Sequence, residues 1–299
     1  MEKINISPTK KISSYINPVE QTATFNKLNT LIKGLFYIEQ KRNLCFNPPL
    51  TVLFWNVIKE GDSIYTTSNI YNIDIKESLD IIVRDLKADD VIIKIDTCNN
   101  ESKRFIAIPL LIDMLERKKN KMIMLGGHLN VLIYDIKRKI LTRYEPHGCG
   151  HSINYNQESL ENYLNSIFTT FLLPPGSKYY SIYNTCNYRG FQIFQRCSEY
   201  FAGMEWDKIR KKDMGFCLSW SLFFLDMKLK YPDISNKMLE NKIFDYFQDK
   251  NLFTPYKLTR FIHEYALNII SFSQNKDIIK NLEKMFETAN RINIHESYK

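Results

Sequence analysis

A histidine, a glutamate and a cysteine in this 299-residue sequence have the types and spacing expected of a nucleophilic triad. His128 stands at the head of an apolar alternating run, and Glu145 ends the next run, directly before a proline. A carboxylate that holds one ring nitrogen of an imidazole fixes the tautomer and raises the basicity of the other nitrogen. The expected chemistry is therefore general-base activation of a nucleophile, which has to come from elsewhere in the chain.

The meeting of His128 and Glu145 depends on the register of a predicted hairpin. If a tight two-residue turn joins HLNVLIYD (128–135) to KILTRYE (139–145), residues whose numbers add up to 275 lie opposite each other. Glu145 then faces Asn130, one step from His128 on the same face of the sheet. A slip of one residue would place the two side chains on opposite faces. The alternative is a histidine and a glutamate that sit in water at a sheet edge.

Cys217 is the cysteine best placed to act as the nucleophile. It opens an apolar run of helical periodicity, SWSLFFLDMKL, and therefore lies in the first turn of a predicted buried helix. Asp213 is the expected N-cap, and Gly215 allows close approach of the backbone. The positive end of a helix favours thiolate over thiol, and the thiolate is the nucleophile. The alternative is a small core residue, which is the usual role of a free cysteine.

Three segments together resemble the papain-like cysteine proteases whose site residues run in the order His, acid, Gln, Cys. The segments are HLN at 128–130, EPHG at 145–148 and GFCLSWS at 215–221. The family includes the adenovirus maturation protease, the SUMO and Ulp-type proteases, and core-protein proteases of large DNA viruses. The sequence looks closest to uncharacterised proteins of giant and other nucleocytoplasmic DNA viruses. The resemblance covers roughly residues 120–232.

This resemblance implies a cysteine peptidase in which Cys217 attacks a carbonyl, His128 transfers the proton and Glu145 orients His128. It implies cleavage of a peptide or isopeptide bond after small residues such as Gly-Gly, in a ubiquitin-like modifier or a viral precursor. Proteins of this group usually carry a glutamine shortly before the cysteine, where this sequence has an arginine and two lysines. The expected oxyanion donor is therefore Gln192, with Gln195 as the second choice.

Other interpretations of the same residues stay open. The triad could transfer an acyl group, or the chain could be a non-catalytic virion or host-binding protein that has a protease fold. The expected substrate-binding residues are Trp220, Asn130 and Gly215, although core packing is the ordinary role of a tryptophan. Zinc binding is a further alternative, and its candidate ligands are His147, Cys149, His151, Cys186 and Cys197. These residues lack a short Cys-x-x-Cys pair, so we expect neither a metal nor a cofactor.

Composition limits the partners and the location. A net charge of +8 and a pI near 9.0 could indicate nucleic acid, but the lysines are spread along the whole chain, so a protein substrate is favoured. The six cysteines show no short paired spacing, and the first residues lack the apolar segment of a secretory leader. We expect a reducing compartment, the host cytoplasm or the virion, rather than secretion. No apolar stretch reaches the roughly 20 residues of a membrane span.

The elements that must position these residues mix helices with strands. The predicted helices are 21–40, 75–86, 156–173 and everything from 215 onward, and the predicted strands include 51–58, 89–98, 121–125, 128–135, 139–145 and 178–184, with 104–116 left as strand or helix. This order predicts an α+β fold with a central mixed or antiparallel sheet, a buried nucleophile helix and a helical C-terminal third, and the resemblance makes it a papain-like core. The expected domains are an arm (1–20), an N-terminal α/β lobe (21–110) and the protease-like core (111–299).

Overall fold

The computed structural model divides the described residues into two compact units. The sheet unit comprises residues 44–45, 50–75, 81–85, 98, 103–119, 121–144 and 156–181. The helical unit comprises residues 28–42, 145–148, 190–194, 216–253 and 257–272. The protein thus has an α+β fold, as the order of elements predicted.

The sheet unit is built on one eight-stranded mixed sheet. Its strands are β1 (Leu44–Cys45), β2 (Leu50–Glu60), β3 (Ser63–Ile75), β4 (Ile81–Asp85), β5 (Phe105–Lys118), β6 (Lys121–Asp135), β7 (Ile140–Tyr144) and β8 (Lys178–Tyr180). The strand order is β4-β3-β2-β5-β6-β7-β8, with β1 beside β5. Pairings β1–β5, β2–β5 and β7–β8 are parallel and the others are antiparallel, which confirms the predicted mixed sheet.

Several strands differ from the sequence-based expectation. The segment 104–116, ambiguous from its periodicity, is strand β5. The segments 121–125 and 128–135 form one continuous strand, β6, whose register shifts by one residue opposite Met114 and Leu115. The helix predicted over 75–86 is wrong at Ile81–Asp85, because these residues pair with β3. Sheet pairing outweighs the helical spacing of their apolar side chains there.

The predicted hairpin between β6 and β7 has the expected register. Its pairs run from Asp135–Ile140 to Val131–Tyr144, and each pair of residue numbers adds up to 275. The turn takes four residues, 136–139, rather than two, and ends at Lys139 with φ of +55°. The ladder ends at Val131–Tyr144, so the predicted pair of Asn130 with Glu145 lies one step beyond it.

One face of the sheet carries the core of this unit. Helix α2 (Gln157–Ile167), which the Asn156 side chain caps by accepting the Ser159 N–H at 3.0 Å, continues into a single π-helical turn, Phe168–Leu172. Its apolar side chains pack in one cluster with those of β2, β5, β6 and β7, which include Leu53, Trp55, Leu110, Ile112, Leu132, Tyr134 and Leu141. The helix predicted over 156–173 is confirmed, and it closes one face of the sheet.

Two covalent or charged links also lie in the sheet unit. Cys45 and Cys98 form a disulfide, which the cysteine spacing did not predict. The fully buried guanidinium of Arg143 lies 3.0 Å from a carboxylate oxygen of Glu161 on α2. The hydroxyl of Tyr179 donates to the other oxygen of Glu161 at 2.6 Å. These contacts tie β7, β8 and α2 together.

The helical unit is arranged around one buried helix. Its helices are α1 (Leu28–Lys41), α3 (Phe216–Lys230), α4 (Asn236–Asp249) and α5 (Lys257–Phe272), and every residue of α3 from Phe216 to Leu229 is buried. An aromatic cluster surrounds α3 and includes Phe191, Trp220, Phe223, Phe247, Phe261 and Tyr265. The predicted buried helix and the helical C-terminal region are therefore confirmed through residue 272. None of the described helices combines the length and apolarity that crossing a bilayer requires.

The predicted domain limits can be compared with these units in part. The predicted arm at 1–20 lies outside the described residues, as does most of the strand predicted at 89–98. The boundary predicted at residue 110 falls inside β5. Each unit is assembled from several separate stretches of the chain.

Candidate active site

Cys217 is the second residue of α3, in the helical unit. Its side chain forms no disulfide and is 7% exposed. The first four backbone N–H groups of a helix have no partner within the helix, and they give its N-terminus a partial positive charge. Cys217 therefore lies at the positive end of the α3 dipole, and this position favours a thiolate over a thiol.

Glu145 begins a tight turn, Glu145–Pro146–His147–Gly148. The Gly148 N–H donates to the Glu145 carbonyl at 2.9 Å, and Gly148 has a φ of +73°, which glycine adopts without strain. Proline at the second position presets the backbone for this turn. The Glu145 carboxylate is fully buried and accepts the His147 N–H at 3.0 Å. The turn thus holds a buried carboxylate in one orientation.

His147 lies beside this carboxylate. Its imidazole is 1% exposed, and its Nδ1 is 3.8 Å from Oε1 of Glu145. The sequence analysis placed His147 in the EPHG segment, but it considered the residue only as a candidate metal ligand and did not predict its contact with the Glu145 carboxylate. The signal was present in the sequence, because the residue two positions after a carboxylate in a Pro-containing turn can return its N–H to that carboxylate.

The segment Gly190–Gln192 is hydrogen-bonded to the turn of residues 145–148, which we call the acid turn. The Gly190 N–H donates to the His147 carbonyl at 3.1 Å, and the Gln192 N–H donates to the Pro146 carbonyl at 3.0 Å. A Cβ on Gly190 would lie 2.0 Å from the Pro146 oxygen, so a side chain at position 190 would collide with the turn. The two segments can approach this closely only because residue 190 is glycine.

Gln192 is buried, with 2% of its surface exposed. Its Oε1 has no hydrogen-bond partner among the described residues. Because buried amide atoms normally have partners, the unpaired Oε1 could accept a hydrogen bond from a bound group. The predicted oxyanion role requires the Nε2 donor instead, and it stays a prediction. Gln195, the second choice, lies outside the described residues.

Aromatic packing connects the Gly190–Gln192 segment to the nucleophile helix. The ring of Phe191 lies 5.4 Å from that of Trp220, which stands one turn after Cys217 on α3. Trp220 is fully buried. Its ring is therefore part of the core, and its predicted role in a glycine-specific slot stays a prediction. Glu145, Gln192 and Cys217 all belong to the helical unit and are linked by these contacts.

His128 and Asn130 belong to the sheet unit, on strand β6. His128 pairs with Ile112 and Asn130 pairs with Leu110, so both lie on the face that also carries Leu132. His128 is 4% exposed and Asn130 is fully buried. The predicted strand buried on both faces is confirmed. The predicted partnership of His128 with Glu145 and Cys217 stays a prediction.

Other predicted site residues fall outside the described part of the chain. These are Gly215 and Asp213 before α3, and the candidate metal ligands Cys149, His151, Cys186 and Cys197.

Comparison with known proteins adds a viral relative. No protein-family model matches this chain. The chain is similar to the putative ankyrin repeat protein L371 of Acanthamoeba polyphaga mimivirus, with 28% identity over 173 residues, which are 53% of this chain and 18% of that protein. The match therefore spans less than a fifth of the relative. Ankyrin repeats stack short helix pairs, whereas the described residues form a strand-rich unit and a unit built around one buried helix. The likeness identifies a viral relative without assigning a family.

Proposed function

We propose that this protein is a cysteine peptidase. The observation that carries the proposal is the position of Cys217, a cysteine that forms no disulfide, in the first turn of a buried helix, within the same compact unit as the acid turn and a buried glutamine. A nucleophile at a helix N-terminus, an orienting carboxylate and an amide donor are the parts that acyl transfer through a thioester requires. The proposal also agrees with the resemblance to papain-like proteases, which include viral enzymes.

Each residue has a separate role in the proposed reaction. His128 takes the thiol proton, and the Cys217 sulfur forms a bond to the carbonyl carbon of the scissile amide. The carbonyl oxygen becomes an oxyanion that accepts hydrogen bonds from the Cys217 N–H and the Gln192 amide. His128 then gives its proton to the leaving amine as the C–N bond breaks, and water hydrolyses the thioester. Glu145 orients the imidazole throughout.

The proposed substrate is a protein that ends in, or is cleaved after, small residues. The resemblance supports this class, and a ubiquitin-like modifier and a viral precursor both fit it. The viral relative is consistent with action in the host cytoplasm or the virion.

The experiment is covalent labelling with electrophilic probes built on the C-termini of ubiquitin and SUMO, followed by peptide mapping. We expect labelling at Cys217, loss of labelling in Cys217→Ala, and a 10²- to 10⁴-fold slower reaction in His128→Gln, the range for general-base catalysis. His263→Gln is the matched control, since His263 lies on α5 and has no part in the proposal. An unlabelled Cys217 in folded protein would favour the non-catalytic interpretation instead.

The oxyanion donor needs its own comparison. Gln192→Leu should slow labelling about 10²- to 10³-fold, the range for loss of one oxyanion donor, whereas Gln195→Leu should not. The reverse result would assign the role to Gln195. A stable acyl-thioester that an amine resolves faster than water would instead identify an acyltransferase.

A further inference from the structure

Strand β3 of the sheet unit has an open edge. It pairs with β2 along Ser63–Ile73, whereas β4 covers its other edge only at Tyr71–Ile75. None of the described strands pairs with the outer edge of residues 63–70, and the residues at 63, 64, 66 and 67 are exposed. At about 3.4 Å per residue, the open edge is about 27 Å long. Its outward N–H and C=O groups can pair with another strand.

The sequence of this edge lacks the residues that normally prevent strand pairing. Exposed edge strands usually carry lysine, proline or a bulge, which keep other chains away. The segment SIYTTSNIYNI (63–73) has eleven residues without charge, proline or glycine, in a chain in which 25% of the residues are charged. Its β-branched and aromatic residues favour an extended backbone. The edge is therefore suited to accept a further strand.

We propose that this edge pairs with the same edge of a second copy of the protein, β3 antiparallel to β3. When a foreign peptide adds to a sheet, charges and side-chain pockets select it, and this edge carries no charge that could do so. Pairing with a second copy requires only that the edge accept itself, and an uncharged edge opposes no like charges. Each copy uses its edge once, so the assembly closes as a two-fold dimer.

Two-fold symmetry restricts the register of this pairing. Side chains that face each other across two strands point to the same side of the sheet, so one residue must lie on the axis and face itself. An axis at Thr66 keeps the pairing within residues 63–69, before β4 begins to cover the edge at Tyr71. Ile64, which is 62% exposed, then has Ile70 of the second copy as a diagonal neighbour. Ile70 packs against the core of its own sheet, so the dimer extends that core over Ile64.

The test measures the mass of the full chain by sedimentation velocity at increasing protein concentration. Wild type should form a dimer. Thr66→Lys and Thr66→Glu each place two like charges opposite each other on the axis, so each variant alone should dimerise about 100-fold more weakly. An equimolar mixture of the two variants should restore the dimer, because lysine then faces glutamate. Thr170→Lys is the matched control, since Thr170 is also exposed but lies in the π-helical turn, and it should dimerise like wild type.

Hydrogen exchange locates the interface and shows that the variants are folded. In concentrated wild type, the amides of residues 63–69 should exchange more slowly than in dilute protein. In Thr66→Lys they should exchange fast at both concentrations, while the amides of β5 and β6 stay as protected as in wild type. A monomeric wild type, or a dimer that survives Thr66→Lys, would overturn the proposal. A mixture of the lysine and glutamate variants that stays monomeric would overturn the pairing about Thr66.

Discussion

Replacing Asp113 with asparagine should stabilise the protein at neutral pH and have little effect in mild acid. Asp113 is partly buried on β5, opposite Asn56 of β2 and Gly127 of β6. The Asn56 amide donates to Thr67 at 3.2 Å, and the Asp113 carboxylate has no hydrogen bond or ion pair among the described residues. Burial raises the pKa of Asp113 from 3.8 to about 6.

The size and sign of the effect follow from this pKa. The folded protein keeps the Asp113 proton up to about pH 6, whereas the unfolded chain keeps it only up to about pH 4. Between these values the free energy of unfolding falls as the pH rises, and above them the charged carboxylate costs about 3 kcal/mol. Asparagine has the same shape and never carries the charge. Asp113→Asn should therefore raise the free energy of unfolding by up to about 3 kcal/mol at pH 7.5 and by almost nothing at pH 4.

Urea unfolding at several pH values measures this difference directly. Asp62→Asn is the control, because Asp62 lies exposed in the turn between β2 and β3 and should show no comparable pH dependence. A gain for Asp113→Asn that is the same at pH 4 and pH 7.5 would refute the reasoning, since it could not come from ionisation. An ordinary carboxyl pKa for Asp113 by NMR titration would refute it as well.

Three further changes test the framework of the two units. Gly190→Ala should lower the free energy of unfolding by about 3 to 5 kcal/mol in thermal or urea unfolding, because its Cβ collides with the backbone of the acid turn; an unchanged stability would contradict that approach. Reducing the Cys45–Cys98 disulfide should cost about 4 kcal/mol for a loop of this length, measured as unfolding with and without reductant. Arg143→Met should cost about 3 to 5 kcal/mol by leaving Glu161 buried and charged, and adding Glu161→Leu should restore most of it.

Local patterns in the sequence predicted much of the fold. The β6–β7 register could be predicted from the short turn between the two strands, because the length of a hairpin turn fixes which residues face each other. The buried helix α3 follows from its continuous apolar run, and α2 from Asn156 and the periodic residues after it. In each case neighbouring residues carry the signal, so no distant part of the chain is needed to read it.

Pairing with distant strands decided what local patterns left open. The apolar spacing of Ile81–Asp85 fits a helix, yet these residues form β4 because β3 offers a hydrogen-bonding edge. The segment that became β5 has strands on both sides, and its periodicity did not distinguish a buried strand from a buried helix. The sequences of β4 and β5 do not themselves show which strands they will pair with.

The sequence by itself determined which groups could do chemistry: a cysteine at the head of a buried helix, a carboxylate before a proline, and a histidine on a strand buried on both faces. Only the tertiary structure decided that the acid turn lies against Gly190 and Gln192, and that Cys45 forms a disulfide with Cys98. The physical reason is that helix and strand periodicities record which side of an element faces the core, whereas the identity of the group across the core depends on how whole elements pack.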